Sequence, residues 1–312
     1  MIYDVAIIGG GPAGVAAGVY ASRKRLKTLF ITSDWGGQST VSEGIENWIG
    51  TVKISGADLA KNLKDHLFAY ASDVVDIKDG VWVSGIEKSA DGSHFIIKAG
   101  ENGAESFEAK SILITTGSTR RKLEVPGAVE FDNKGLTYCA SCDGPLFSGQ
   151  DVAVIGGGNA AFETAAQLLA YCKSVTLLIR GDDFRADPVT VEKILSNPKM
   201  KAIKNAVIAE VRGDKFVNGL SYIDGTTKEK TDLAVAGIFV EIGLIPNTSF
   251  LKGVVELDAY NHIITDPRTQ MTRTPGIWAA GDVTDGLYHQ NNIAAGDAVK
   301  ALEDIFAHLH TK

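Results

Sequence analysis

The chain has 312 residues, enough for two domains at about 150 residues each, and its 45% hydrophobic and 22% charged residues are the balance of a globular protein. Its 31 Lys and Arg stand against 38 Asp and Glu, and the resulting net charge of −7 argues against binding to nucleic acids or anionic membranes. No apolar run approaches the roughly 20 residues that span a bilayer, and no basic leader precedes the first strand. We therefore expect small-molecule or protein partners.

Glycine is over-represented, with 34 of 312 residues, or roughly 11% against about 7% in average proteins. The first cluster, Gly9, Gly11 and Gly14, follows a strand-like run and precedes a helical stretch over 15–25 and a strand over 26–32. In this G-x-G-x-x-G context the first glycine allows a tight turn, the second admits a pyrophosphate and the third lets the helix pack closely. The cluster predicts a dinucleotide site with the helix N-terminus facing the phosphates.

The pair Cys139 and Cys142 forms a C-x-x-C motif, whose thiols can meet within one helical turn and whose thiolate a helix N-terminus would stabilise. Zinc would need a second pair or histidines at ligand spacing, so we predict no metal; inert buried thiols are the other alternative to a redox pair. Asp143 is the candidate proton donor, unless it is only a cap or turn residue. Cys172 has no partner and is interpreted as a packed small hydrophobe. So few cysteines favour a reducing, cytoplasmic compartment.

The glycine motif recurs after a strand over 151–155, as Gly156 and Gly158 with Ala161 as the third small residue. It precedes a helix over 162–171 and a strand over 174–179. Two dinucleotide sites in one chain suggest a flavin and a nicotinamide, since a hydride donor needs a different acceptor. Arg180, with Arg185 nearby and no acid at this position, suits a 2′-phosphate, unless both arginines are solvated surface charges.

A third block near the C-terminus ends a strand in Gly281 and Asp282, whose carboxylate can accept hydrogen bonds from sugar or ribityl hydroxyls. The final helix is expected to end near His308. Candidate domain crossings lie around 117–119 and 243–247, so the second dinucleotide unit would be inserted into the first. We predict an α/β protein with two Rossmann-like, three-layer domains, bounded as 1–117 with 246–312, and 118–245.

The order of these motifs resembles that of the low-molecular-weight thioredoxin reductases over essentially the whole chain. Residues 143–147 and 243–248 are closer to the flavoprotein subunit of alkyl hydroperoxide reductase, whose extra N-terminal thioredoxin-like domain we expect this chain to lack. The segments that carry the resemblance are Gly9–Gly14, Gly36–Gln38, Ile45–Trp48, Cys139–Gly144, Gly156–Ala160, Phe184–Ala186, Ile242–Thr248 and Ala280–Asp282.

The resemblance implies that 1–117 and 246–312 form a discontinuous FAD domain. Along the ribose of FAD, Thr32 and Ser33 stand where an acid is expected, with Asp34 one step displaced. The residues implied for FAD are Gly9, Gly11, Pro12, Ala13, Gly14, Thr32, Ser33, Gly37, Gln38, Asn47, Thr116, Gly117, Gly281, Asp282, Gln290 and Asn291.

The resemblance further implies that 118–245 is an NADPH domain bearing the redox cysteines, that it rotates to present nicotinamide and dithiol alternately to the flavin, and that the protein is a homodimer. Gly181 stands where the family usually has a second phosphate-binding arginine, which leaves NADH open as the donor. The residues implied for NADPH are Gly156, Gly158, Asn159, Ala160, Ala161, Arg180, Arg185, Ile242 and Gly243.

The activity implied is that of a thioredoxin reductase, with electrons passing from NADPH through FAD and the Cys139/Cys142 pair to thioredoxin or a thioredoxin-like protein. Cys142 would sit against the flavin, and Cys139 would attack the partner's disulfide. The alternatives are a reductase of a peroxiredoxin or glutaredoxin-like partner, and a ferredoxin-dependent or oxygen-using relative, against which the intact motif at 156–161 argues. A non-enzymatic flavin sensor would leave the C-x-x-C unexplained.

Overall fold

A computed structural model of the protein describes residues 1–42 and 44–311, which fold as two compact units. Unit 1 comprises Met1–Thr119 and the chain from Ile245 onward, and unit 2 is Arg120–Leu244. The chain passes from unit 1 to unit 2 two residues later than the sequence predicts, and it returns to unit 1 one residue earlier than predicted. Strands at the two crossings, Ser118–Arg120 and Leu244–Pro246, pair with each other.

The described chain contains seventeen strands and six α-helices, numbered in chain order. The strands are β1 (Ile2–Gly10), β2 (Thr28–Trp35), β3 (Val75–Asp79), β4 (Val83–Lys88), β5 (Phe95–Ala99), β6 (Glu105–Ile114), β7 (Ser118–Arg120), β8 (Leu136–Thr137), β9 (Asp151–Ile155), β10 (Ser174–Leu178), β11 (Met200–Ile203), β12 (Ala206–Gly213), β13 (Val217–Asp224), β14 (Lys230–Ala234), β15 (Gly237–Val240), β16 (Leu244–Pro246) and β17 (Ile277–Ala279). The helices are α1 (Pro12–Arg23), α2 (Gly56–Ala71), α3 (Ala140–Asp143), α4 (Asn159–Leu169), α5 (Pro188–Leu195) and α6 (Asn291–Thr311). Single 3₁₀ turns occupy Gly37–Val41, Glu101–Gly103, Gly144–Phe147 and Ser249–Leu251.

Unit 1 is built on a sheet of order β3-β2-β1-β6-β5-β4, with β17 also paired to β6. Strands β3, β2, β1, β6 and β17 run parallel, and β5 and β4 continue the sheet antiparallel. Val5, Ala6 and Ile7 of β1 are fully buried, as expected where both faces of a parallel strand are covered. One face packs against α1, α2 and α6, and the other packs against the segments around Leu251 and Ile263.

Unit 2 has a parallel sheet of order β11-β10-β9-β15-β8 and a separate antiparallel sheet of β12, β13 and β14. Helix α4 packs on one face of the parallel sheet through Phe162, Ala165 and Leu168, each fully buried. The other face of that sheet is covered by the antiparallel sheet, through residues such as Val211 and Leu220. The predicted α/β class with two Rossmann-like units is confirmed.

The two units repeat one arrangement, in which a strand order of the type 3-2-1-4 places a glycine turn after the central strand. In unit 1 the turn follows β1, between β2 and β6; in unit 2 it follows β9, between β10 and β15. Ligands of open α/β sheets bind at this point, outside the carboxyl ends of the strands where the order reverses. Over the described residues, every helix falls short of the length or the apolarity that crossing a bilayer requires.

Candidate functional site

The glycine turn of unit 1 has the geometry of a phosphate-binding turn. Gly9 adopts φ +120°, where a Cβ would lie 2.4 Å from the carbonyl oxygen of Thr115, and a Cβ on Gly14 would lie 1.8 Å from that of Gly9. A Cβ on Gly11, by contrast, would meet nothing within 4 Å. The first and third glycines therefore let the backbone pack, whereas the second leaves open space at the start of α1, whose first residue is Pro12.

A cavity of about 600 Å³ opens from this turn, within the usual range for small-molecule and cofactor sites. All of its lining residues belong to unit 1, including the carboxyl ends of β1, β2 and β6 and the turn at Gly281 and Asp282. The cavity and the open turn fit a dinucleotide such as FAD. The implied FAD residues that line it are Gly9, Gly11, Pro12, Ala13, Thr32, Ser33, Gly37, Gln38, Thr116, Gly117, Gly281, Asp282 and Asn291.

Three implied FAD residues are outside that lining. Gly14 lies beneath the turn, where it lets α1 approach β1. Asn47 and Gln290 lie together, since the Asn47 amide donates to Gln290 Oε1 at 3.1 Å. The carbonyl of Asn47 also accepts from the amide of Asn292 at 2.7 Å, so the loop after the Gly37–Val41 turn is fixed to the start of α6.

The glycine turn of unit 2 repeats the first one closely. Gly156 has φ +147°, and a Cβ there would lie 2.2 Å from the carbonyl oxygen of Glu241. Gly158 again faces open space, and the buried Ala161 takes the place of the third glycine. The turn has room for the phosphates of a second dinucleotide at the start of α4.

The arginines predicted to meet a 2′-phosphate are both exposed and follow β10, the strand next to the turn. The backbone N–H of Arg185 donates to the carbonyl of Gly157 at 2.7 Å, which ties its loop to the glycine turn. Lys204 adds a cation to this side, with its Nζ 4.8 Å from the centre of the Phe184 ring. The side-chain oxygen Oδ1 of Asn159 accepts a hydrogen bond from the backbone N–H of Asp187 at 2.8 Å, so this oxygen already has a protein partner.

Cys139 and Cys142 are joined in a disulfide, with their Cα atoms 5.3 Å apart. Cys139 is the residue that caps the single turn α3, and both cysteines are partly exposed. Ser141 donates to Gln167 Oε1 at 3.1 Å and so fixes α3 against α4. The Thr137 hydroxyl donates to the carboxylate of Asp143, which lies next to Cys142 in the sequence. Unit 2 therefore carries both a dinucleotide-type turn and a disulfide within reach of solvent.

Nearly the whole chain, residues 3–298, matches the model of the pyridine nucleotide-disulphide oxidoreductase family. The chain belongs to this family. The family is FAD-dependent and takes electrons from a nicotinamide nucleotide, in agreement with the two turns.

Among individual relatives, the chain is 42% identical over 308 residues to the F subunit of alkyl hydroperoxide reductase from Pseudomonas putida and 39% identical over 307 residues to a protein named NADH dehydrogenase of Bacillus subtilis. Each match covers 98% of this chain and 58% of the relative. A thioredoxin reductase structure from Streptococcus pyogenes covers 100% of this chain and 99% of its own, at 34% identity and a TM-score of 0.88. The predicted family resemblance is confirmed, and the chain spans under three-fifths of these curated relatives.

Sequence reasoning missed several side chains at the two sites of this family member. Asn247 lines the cavity and exchanges two hydrogen bonds with Thr116, at 2.8 and 2.9 Å. His289 Nδ1 lies 3.6 Å from Asp282 Oδ1. Glu241 directly follows strand β15, which neighbours the central strand β9 of unit 2. The sequence signals for Asn247 were its place in the predicted crossing at 243–247 and in the family-like segment Ile242–Thr248, whereas Glu241 had only its place beside that crossing.

Glu241 is a largely buried carboxyl group beside the second glycine turn. Its Oε1 accepts a hydrogen bond from the Thr164 hydroxyl at 2.8 Å. Burial raises the pKa of Glu241 from 4.5 to about 7, and the nearby Glu163 adds to this; the Thr164 hydrogen bond and Arg120 oppose the rise. The group therefore changes charge close to neutral pH.

This shift predicts how Glu241→Gln changes stability with pH. Because the folded-state pKa lies above the unfolded one, the wild type loses stability as pH rises from 4.5 through about 7. The glutamine variant avoids this loss, so we expect it to match the wild type near pH 4.5 and to exceed it at pH 8 by roughly 2–3 kcal/mol. Urea unfolding midpoints across this range measure the difference. A gap that does not vary with pH would contradict the assignment, and the exposed neighbour Glu163→Gln serves as the control.

Proposed function

We propose that the protein is a thioredoxin reductase that passes electrons from NADPH, through FAD and the Cys139–Cys142 disulfide, to the disulfide of thioredoxin. The observation that carries the proposal is the partly exposed disulfide in a chain with two phosphate-type glycine turns, one of them at a cavity of about 600 Å³. A dithiol carrier needs both a source of electron pairs and access to an outside disulfide. The similarity to thioredoxin reductase structures supports this choice.

In unit 1, the backbone at Gly9, Gly11 and Pro12 would bind the FAD pyrophosphate, and the Asp282 carboxylate would accept hydrogen bonds from ribityl hydroxyls. Bound flavin supplies two-electron chemistry, since it can take a hydride from NADPH and deliver the electron pair to a disulfide. Asn247 and Thr116 hold each other's backbone and so fix the wall of the cavity.

In unit 2, reduction by two electrons opens the disulfide to two thiols. The Cys139 thiolate would attack one sulfur of the partner's disulfide, forming a mixed disulfide and releasing one partner thiolate. The Cys142 thiolate would then attack Cys139, restoring the intramolecular bond and releasing the second partner thiol. Asp143, which follows Cys142 in the sequence and accepts a hydrogen bond from the Thr137 hydroxyl, would supply or take up the proton.

The proposal predicts that two exposed arginines make the protein prefer NADPH to NADH. Rapid mixing under anaerobic conditions should bleach the flavin faster with NADPH than with NADH, because Arg180 and Arg185 would pair with the 2′-phosphate. The double variant R180A/R185A should lose about tenfold or more with NADPH and little with NADH. Equal rates in the wild type would instead favour NADH, the donor in the name of the Bacillus subtilis relative. Bleaching by neither nucleotide would refute the nicotinamide assignment and favour the ferredoxin-dependent or oxygen-using alternative.

A second candidate partner is a peroxiredoxin, because several similar relatives are named as the F subunit of alkyl hydroperoxide reductase. Turnover with thioredoxin, a glutaredoxin-like protein and a peroxiredoxin, at matched concentrations, decides between them. Fastest turnover with thioredoxin supports our proposal. We also propose a cytoplasmic homodimer, on the family resemblance alone; sedimentation at the mass of one chain would refute the dimer.

A further inference from the structure

Glu241 occupies, in unit 2, the place that Thr115 occupies in unit 1. Each is the residue directly after the strand that flanks the glycine turn, β6 or β15, and each packs its carbonyl oxygen against the first glycine of that turn. In unit 1 this residue is neutral, and the Thr115 hydroxyl donates to the carbonyl of Ile8 at 2.8 Å. In unit 2 an ionisable carboxyl group takes its place.

The Glu241 carboxyl lies between its strand and α4 with little to stabilise a charge. The Glu241 carboxyl accepts a hydrogen bond from the hydroxyl of Thr164, which is buried on α4. The charged groups that act on it are Arg120, on β7, and the exposed Glu163, next to Thr164 on α4. Among the ion pairs of the described residues, none includes Glu241. A carboxylate that is mostly shielded from solvent keeps more of its electrostatic effect on nearby anions than an exposed one does.

Because the Glu241 carboxyl is hydrogen-bonded to Thr164, the position of Thr164 on α4 gives the approximate distance between this carboxyl and the start of the helix. Thr164 follows Gly158 by six residues, or about 9 Å along the axis of α4, and Gly158 marks the open space where the phosphates of a dinucleotide would lie. At this separation and an effective dielectric constant of about 20, one added negative charge weakens the binding of an anion on the order of tenfold.

We propose that Glu241 is a positioning residue whose protonation state sets the affinity of unit 2 for its nicotinamide dinucleotide. The protonated group permits tight binding, and the carboxylate opposes the pyrophosphate. The inference rests on the proposed function, because it takes the second turn as the nucleotide site. Unit 2 contains no histidine, since all six lie at positions 66, 94, 262, 289, 308 and 310. Glu241, with its pKa of about 7, changes charge near neutral pH beside the second glycine turn.

Binding of NAD⁺ to the oxidised, FAD-loaded protein tests the proposal by isothermal titration calorimetry at pH 6 and pH 8.5. NAD⁺ is the better probe because the 2′-phosphate of NADP⁺ itself titrates near pH 6, as phosphate monoesters do. We expect the wild-type Kd to rise about tenfold between the two pH values and the Kd of Glu241→Gln to stay nearly constant at the lower value. Glu163→Gln, which removes an exposed charge next to Thr164, should keep the wild-type rise with a slightly lower midpoint.

An equal rise in Kd for the wild type and for Glu241→Gln would overturn the proposal. Constant and equal Kd values for both proteins would overturn it as well. The absence of NAD⁺ and NADP⁺ binding at every pH, with FAD retained, would instead refute the nucleotide site of the proposed function. Flavin content and near-UV circular dichroism of each variant show that its fold is intact.

Discussion

Cys139→Ser and Cys142→Ser should each lower the reduction of a protein disulfide by on the order of a thousandfold or more, while the flavin stays bound. Disulfide exchange needs a thiolate to attack and a second to resolve, and serine provides neither at neutral pH. The cavity assigned to FAD is lined by unit 1 alone, so neither substitution removes a residue that would hold the flavin. Unchanged turnover in both variants would refute the dithiol route.

The two cysteine variants should differ in what they trap. Cys142→Ser leaves Cys139 free to attack but removes the resolving thiol, so a mixed disulfide with the partner should accumulate and be visible by mass spectrometry. Cys139→Ser should give little of this adduct. The reverse pattern would exchange the roles of the two cysteines. Cys172→Ser is the matched control, because this thiol is buried and unpaired and its hydrogen bond goes to the Phe147 carbonyl.

Features written in local sequence were predicted well. Both glycine turns depend on residues within six positions of each other, and each lies where the sequence places it, after a buried strand and before a helix. The predicted element ends were less accurate. Helix α1 begins at Pro12 rather than at 15, because proline is favoured in the first turn of a helix. Strand β2 continues to Trp35, whose ring stacks on Phe30 at 5.5 Å, a contact that periodicity does not reveal.

Features that depend on contacts distant in sequence could not be predicted. Asn247 and Thr116 are 131 positions apart, yet their mutual hydrogen bonds shape the wall of the cavity. Glu241 and Thr164 are 77 positions apart, and the burial that changes the pKa of Glu241 arises only when β15 and α4 pack together. A glutamate after an apolar strand looks in sequence like an ordinary solvated residue. A site that depends on a local turn can therefore be predicted from one sequence, whereas a pKa shift that depends on burial cannot.

Gly11→Ala and Gly158→Ala should separate the two dinucleotide sites. Both glycines have negative φ values, −76° and −95°, and a Cβ at either would meet nothing within 4 Å, so alanine fits the protein backbone without strain. The added methyl group would stand where a pyrophosphate must approach the backbone. We therefore expect Gly11→Ala to purify with less than about a tenth of the wild-type flavin, and Gly158→Ala to keep its flavin but bind NADPH at least about tenfold more weakly.

The control for this pair is Gly14→Ala, whose Cβ would lie 1.8 Å from the carbonyl oxygen of Gly9 and must disrupt the fold itself. Urea unfolding of the flavin-free proteins should place Gly11→Ala within about 1 kcal/mol of the wild type, because alanine is a poorer helix N-cap than glycine but also restricts the unfolded chain, and these two effects have opposite signs. Gly14→Ala should unfold far earlier. Loss of flavin with an intact fold is expected only if the pyrophosphate of FAD occupies the open space at Gly11. Full flavin content in Gly11→Ala would therefore mean that no pyrophosphate approaches this turn.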